Sequence, residues 1–216
     1  IFSSTAAVYG DVSSEPVGED IPVAPVSPYG RSKLMTEWML EDAARAHDFR
    51  FIALRYFNVA GADPQGRSGQ SAPNATHLIK VAVQAALGQR PHLDIFGTDY
   101  PTRDGSCIRD YIHVEDLCSA HLMALEHLRA GGSSRRYNVG NGVGYSVRAV
   151  IAAAERVTGR AIQTVVRPRR AGDPPRLIAD PSKIRSDWGW QPRHEGLDEI
   201  IETAWSWEKR YPWNLS

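Results

Sequence analysis

Tyr29 and Lys33 stand four residues apart in the stretch "SPYGRSKL". On a helix, that spacing puts both side chains on one face, a turn apart. A free phenol loses its proton near about pH 10, and a neighbouring ammonium favours the phenolate. Such a pair can take a proton from a sugar or alcohol hydroxyl near neutral pH and give it back. Taken alone, the spacing also fits a solvated tyrosine and lysine on an exposed helix.

Two glycine-rich stretches invite a phosphate-binding reading, and neither sustains it. "GADPQGRS" follows a strand and has the outline of a P-loop with Arg67 in place of lysine. Asp63 would set a carboxylate beside the phosphates, and "GQSAPNAT" cannot open the helix whose N-terminus receives the anion. "VGNGVGYS" is GxGxG rather than GxGxxG, and Ile162 stands where a ribose-binding acid belongs. It reads as a tight turn between two elements. Asp110 and His113 alternate along a strand and read as structural hydrogen-bonding groups. His121, His127, Glu115 and Glu126 read as ordinary helix residues. The six tryptophans read as core and helix-packing residues, and no metal-ligand spacing is visible.

The elements that position these groups follow from periodicity and punctuation. "IFSS" reads as the end of a buried strand, and residues 9–27 as loop. Ser27 and Pro28 supply an N-cap and a first helical residue; Leu34, Met35, Trp38 and Met39 carry that helix to about Ala46. "FIALRYFNVA", residues 51–60, reads as one strand. Helices are expected over 77–88, over 114–130, after Ser146, around 181–188 and around 197–211. Strands are expected at "LDIFG", "CIRDYIHV", "RRYNVG" and "IQTVVRP". Alternation of strand and helix in the first half argues for an α/β sheet with parallel strands.

Composition limits the partners. Lys plus Arg equals Asp plus Glu, 25 against 25, so charge gives no reason to expect nucleic acid or an anionic membrane surface. No apolar run reaches the roughly 18 residues of a membrane span. Two cysteines, Cys107 and Cys118, make no disulfide framework and suit a reducing cytoplasm.

"FSSTAAVYG" followed by "SPYGRSK" resembles the extended short-chain dehydrogenase/reductase superfamily. "LRYFNVAGADPQGRSGQ", "THLIKVA", "IFGTDYPTRDGSCIRDYIHVEDL", "YNVGNGVGYSV" and "PRRAGDPP" are similar to the UDP-glucose 4-epimerase family, in that family's order and over most of the chain. The resemblance implies a partial Rossmann-like parallel sheet with a smaller C-terminal mixed α/β substrate domain. Residues 1–65 and 107–144 would form the C-terminal part of the NAD-binding domain, and 66–106 and 145–216 the UDP-sugar domain.

It also implies roles. Thr5 hydrogen-bonds the reacting hydroxyl, Tyr29 acts as base and then acid, and Lys33 holds the nicotinamide ribose. Phe57 lies by the nicotinamide and Asn58 by the diphosphate. His77 and Leu78 contact the nucleotide, and Asp94, Ile95 and Phe96 line the uracil. Arg109, Arg170 and Asp173 bind diphosphate and ribose; guanidinium groups suit that task because they stay charged and grip phosphate bidentately. Leu177 falls at the gate for the sugar's C2 substituent. The implied reaction inverts C4 of a UDP-hexose through a 4-keto sugar, with NAD taking and returning the hydride. A homodimer is implied for the complete protein.

The family's N-terminal glycine-rich turn is not in this sequence. The expectation is therefore a C-terminal two-thirds that exposes a sheet edge, folds poorly and is inactive alone, and whose own dimerisation lacks a helix. The rival readings are a 4-epimerase for a UDP-pentose, UDP-N-acetylhexosamine or UDP-uronate, a non-catalytic UDP-sugar-binding module, and a 4,6-dehydratase. Against the last, Ala6 and Ala7 follow Thr5 where an acid is needed.

Overall fold

In the computed structural model, which describes residues 1–12, 16–72 and 74–210, apolar runs become strands and capped amphipathic runs become helices. In chain order these are β1 (Phe2–Thr5), a short 3-10 turn (Ala6–Val8), α1 (Pro28–Ala46), β2 (Ile52–Tyr56), β3 (Asn58–Ala60), α2 (Leu78–Ala86), β4 (Leu93–Phe96) and β5 (Ile108–His113). There follow α3 (Val114–Arg129), β6 (Arg135–Val139), β7 (Gly144–Ser146), α4 (Val147–Thr158), β8 (Thr164–Arg167), β9 (Arg176–Leu177), α5 (Ser182–Trp188) and α6 (Leu197–Arg210). Tyr211, the expected end of the last helix, lies outside the described residues, as does Trp213. No helix among the described residues is long and apolar enough to cross a membrane.

β1, β2 and β6 form a parallel sheet in the order β1-β2-β6. β3 and β7 flank β5, which also pairs with β9, and β4 pairs with β8; of these ladders only β5–β7 is antiparallel. One core packs α2, α4 and α6 through Ile79, Val83, Val150 and Ile200 onto Leu93, Ile95 and Tyr111. A second packs Leu117, Trp190 and Ile184 around Ile52, Leu54, Ile112 and Tyr137. Tyr111 and Ile112 are neighbours on β5 and point to opposite faces, so this strand carries both cores.

Four sequence expectations need correction. Residues 51–60 are two strands, not one: β2 ends in the parallel sheet, Phe57 steps out of register and donates its N–H to the Val139 carbonyl at 3.2 Å, and β3 joins β5. The run of β-branched and aromatic residues hides the step because no glycine or proline punctuates it; β2 is buried and β3 half-buried. "VGNGVGYS" is more than a turn, since Gly144–Ser146 pairs with β5. β9 was not expected; two residues leave no periodicity to read. Trp38 does not join the core: it is exposed on α1 beside Met35 and Met39, whereas Trp188 packs on Tyr137 and Trp190, Trp205 and Trp207 are buried.

Asp110 explains the turn. Its buried carboxylate accepts the N–H groups of Asn141 at 2.9 Å, Gly142 at 2.9 Å and Ala179 at 3.2 Å. A Cβ at Gly140 would lie 2.6 Å from the Ala179 Cβ and 2.8 Å from the Asp110 Oδ2, so only glycine admits this approach. Burial pushes the Asp110 carboxyl up to about 6, against the pull of those three donors. The other loop is self-bound: the Asp63 carboxylate accepts N–H groups of Gln65 and Arg67 and the Arg67 side chain. Bonds from Arg67 hold it well below the usual carboxylate range.

Candidate active site

α1 begins where its sequence says. The Ser27 hydroxyl accepts the Gly30 N–H at 3.0 Å, and Pro28 opens the helix. Tyr29 and Lys33 share one face; the Lys33 Nζ lies 5.8 Å from the Tyr29 ring centroid and 5.1 Å from that of Phe2. The ammonium donates to the Ser3 carbonyl at 2.9 Å, which ties it to β1. Tyr29 is 53% exposed, open enough to meet a ligand. Thr5 closes β1, is buried, and accepts the Ala7 N–H at 3.2 Å through its hydroxyl. The helix comes close at Gly30, where a Cβ would lie 2.5 Å from the Ala7 carbonyl oxygen. Thr5, Tyr29 and Lys33 thus gather at the carboxyl end of β1, the side of a parallel sheet where ligands bind. Phe57 is buried against Ala6, Val8 and Leu34, and Leu177 packs on the same cluster.

From Phe57 the chain passes directly into a second part of the site, a cavity of about 550 Å³. Asn58, His77, Leu78, Asp94, Phe96, Arg109, Arg170 and Asp173 all line it. Ile95 does not: alternation along β4 sends its side chain into the core, which corrects the expectation that it lines the pocket with its neighbours. Thr5, Tyr29, Lys33, Phe57 and Leu177 are not among the cavity's lining residues.

The charged groups of the cavity hold one another. Arg109 donates to its neighbour's carbonyl at 2.7 Å and to Asp173 at 3.3 Å. The Arg170 guanidinium lies 3.7 Å from the Phe96 ring centroid, a cation–π contact on an aromatic face. Asp94 pairs with Arg167 at 2.9 Å and lies 3.4 Å from His92. His77 occupies the N-cap of α2 without capping it; its Nδ1 instead accepts from the Gln70 amide at 2.8 Å. α2 is fixed to α6 by the buried Lys80–Glu208 pair, and Lys80 also reaches the Gln70 carbonyl at 2.7 Å.

Arg90, His92, Cys107 and Tyr111 also line the cavity and were not singled out from the sequence. Two of them had a signal. Cys107, Arg109 and Tyr111 alternate along "CIRDYIHV", so naming Arg109 as a ligand group places the other two on its face. Burial pushes both the Cys107 thiol and the Tyr111 phenol up, which keeps them neutral. His113 is structural, as read: its Nδ1 accepts the Glu115 N–H at 3.1 Å, so its Nε2 carries the proton and meets the Thr203 hydroxyl at 3.0 Å. No group of three or more His, Cys, Asp or Glu suited to a metal occurs among the described residues.

The chain is 59% identical over 209 residues to a UDP-glucose 4-epimerase of Azospirillum brasilense, covering 97% of this chain and 60% of the relative. It resembles the solved UDP-glucose 4-epimerase of Brucella ovis in complex with NAD (47% identity, TM-score 0.91, 95% of this chain and 63% of that one). It also resembles that of Bifidobacterium longum in complex with NAD+ and UDP (35% identity, TM-score 0.92, 98% and 63%). The chain therefore spans about three-fifths of the length of these relatives. The model of the NAD dependent epimerase/dehydratase family matches residues 1–140, and the chain belongs to that family.

Proposed function

We propose that this chain carries the proton-transfer and UDP-sugar-binding machinery of a UDP-glucose 4-epimerase, which interconverts UDP-glucose and UDP-galactose by inversion at C4. The observation that carries the proposal is the pairing of Tyr29 and Lys33 on one helix face beside Thr5, with Phe57 leading straight into an arginine-bordered cavity. The Thr5 hydroxyl orients the sugar's C4 hydroxyl. The Tyr29 oxygen takes its proton and later returns one, so the residue is base and then acid. The Lys33 ammonium favours the phenolate while that proton is away. Bound NAD supplies the acceptance and return of the C4 hydride. Lys33 spends one donor on the Ser3 carbonyl and keeps two for the diol of a ribose, so these residues fit the nicotinamide end of the cofactor. The chain's own glycine turn does not fit the pyrophosphate end, because Asp110 already takes the N–H groups of Asn141 and Gly142.

In the cavity, Arg109 and Arg170 grip the diphosphate, Asp173 the ribose, and Asp94 and Phe96 border the uracil, with Ile95 contributing backbone only. Asn58, His77 and Leu78 complete the nucleotide contacts. Residues 1–65 and 107–144 form the NAD-binding part and 66–106 and 145–216 the UDP-sugar part. Leu177, packed beside Phe57, limits the C2 substituent; a panel of UDP-sugars tests that limit. Exposed Met35, Trp38 and Met39 support homodimerisation through α1. The proposed substrate pair suits a role in galactose metabolism or in exopolysaccharide synthesis, and two unpaired cysteines suit the cytoplasm. Calorimetric titration of the folded, NAD-loaded enzyme containing this sequence tests the assignment: UDP binds, and Arg109→Ala or Arg170→Ala abolishes or weakens that binding. A folded enzyme that ignores UDP removes the reading.

A further inference from the structure

Glu37 lies one turn beyond Lys33 and two beyond Tyr29 on α1, and it is completely buried. Every strand of the parallel sheet sends one side chain to its carboxylate. The Ser4 hydroxyl of β1 donates to Oε1. Arg55 of β2 grips both oxygens, with Nε 3.0 Å from Oε1 and Nη2 2.6 Å from Oε2. From β6, the Arg136 Nε lies 3.1 Å from Oε2, and the same guanidinium reaches Glu41 one helical turn on. Arg55 continues the network to the Tyr9 hydroxyl at 3.1 Å, which donates to Asn138 at 2.7 Å.

The register is specific. Ser3 gives its carbonyl to Lys33 and Ser4 gives its hydroxyl to Glu37, while Thr5, the next residue, ends the strand. Two consecutive strand residues are thus keyed to residues one turn apart on α1. A rotation or slide of α1 would strip a buried carboxylate of its partners, which is strongly unfavourable. Within the chain the register of α1 is set from this inner face, since Met35, Trp38 and Met39 on the outer face are exposed.

We propose that Glu37 is a positioning residue that locks Tyr29 and Lys33 in register with Thr5; this rests on the role given to Tyr29 above. Misplacement of a reacting group by about 1 Å costs about 100-fold in rate, and Glu37 is the contact that prevents it.

The test uses the NAD-loaded enzyme containing this sequence, with fluorotyrosine labelling and the Tyr29 resonance assigned through Tyr29→Phe. In Glu37→Gln, kcat should fall about 10- to 100-fold while KM and the UDP Kd stay within about twofold. The Tyr29 resonance should move, and amides of the first two turns of α1 should exchange faster. If Glu37→Gln does not fold, the double variant Glu37→Met/Arg55→Met replaces the buried pair by apolar groups of similar size, and the same split is expected. A folded variant with unchanged kcat and an unmoved Tyr29 resonance overturns the proposal, as does an equal loss in UDP affinity. If Tyr29→Phe leaves turnover intact, the reading of the site fails instead, and the resonance alone then decides whether Glu37 positions Tyr29.

Discussion

Around Tyr29 the side chains are fixed by buried contacts to the strands of one sheet; around Arg170 they are held by one another, nearer the surface. Lys33 is tied to the backbone of β1 and Glu37 to side chains of β1, β2 and β6. Arg109, Asp173, Arg170 and Phe96 form a set of exchangeable contacts on loops and strand ends. The difference suits the two tasks proposed for these regions. A proton-transfer group must already stand in place when the substrate arrives. A phosphate-binding group must release a weak partner and take a stronger one.

The sharpest way to break this contrast is Tyr29→Phe. It should cost about 10²- to 10⁴-fold in kcat with the UDP Kd unchanged, because the phenol belongs to the fixed end only; steady-state kinetics beside calorimetry separates the two. Next comes Arg109→Ala. A charge-assisted bond to phosphate is worth about 1.5–3 kcal/mol, so the UDP Kd should rise about 10- to 100-fold while kcat at saturation changes far less. An equal loss in kcat would merge the two ends into one.

Asp110→Asn probes the turn that both ends share. The folded Asp110 carboxyl is raised to about 6 from an ordinary 3.8. A carboxyl raised in this way adds stability at low pH and loses it as pH climbs from about 4 to 6. The wild type should therefore lose about 3 kcal/mol in all relative to Asp110→Asn, about 2 kcal/mol of it between pH 4.5 and pH 7 and nothing further above that. Urea unfolding at pH 4.5 and pH 7 reads the difference. A gap that is constant with pH would mean that the three N–H donors keep the carboxylate charged throughout. The smallest effect is expected from Gly30→Ala. The added methyl must push α1 away from the Ala7 carbonyl, costing about 1–2 kcal/mol and lowering kcat without moving the UDP Kd.

Much of this was legible in the sequence. Ser27–Pro28 marked the start of α1, and the four-residue spacing placed Tyr29 and Lys33 on one face of it, because capping and helical periodicity are local. The lining of the cavity by Asp94 and Phe96 but not Ile95 follows from strand alternation, once β4 is known to have one face in the core. What could not be read was non-local. Nothing in "RYFNV" marks Phe57 as the step between two sheets, and Glu37 looks like any helix-surface glutamate until Ser4, Arg55 and Arg136 converge on it from separate strands. Trp38 reads as core by hydropathy alone; only the packing of the chain leaves it outside.

One strand, β5, presents Tyr111 to one core and Ile112 to the other. A shared beam of this kind ties the two cores together through a single strand. In the proposed reaction, the freedom a sugar needs to turn over would then come from the space around it rather than from a parting of these two cores.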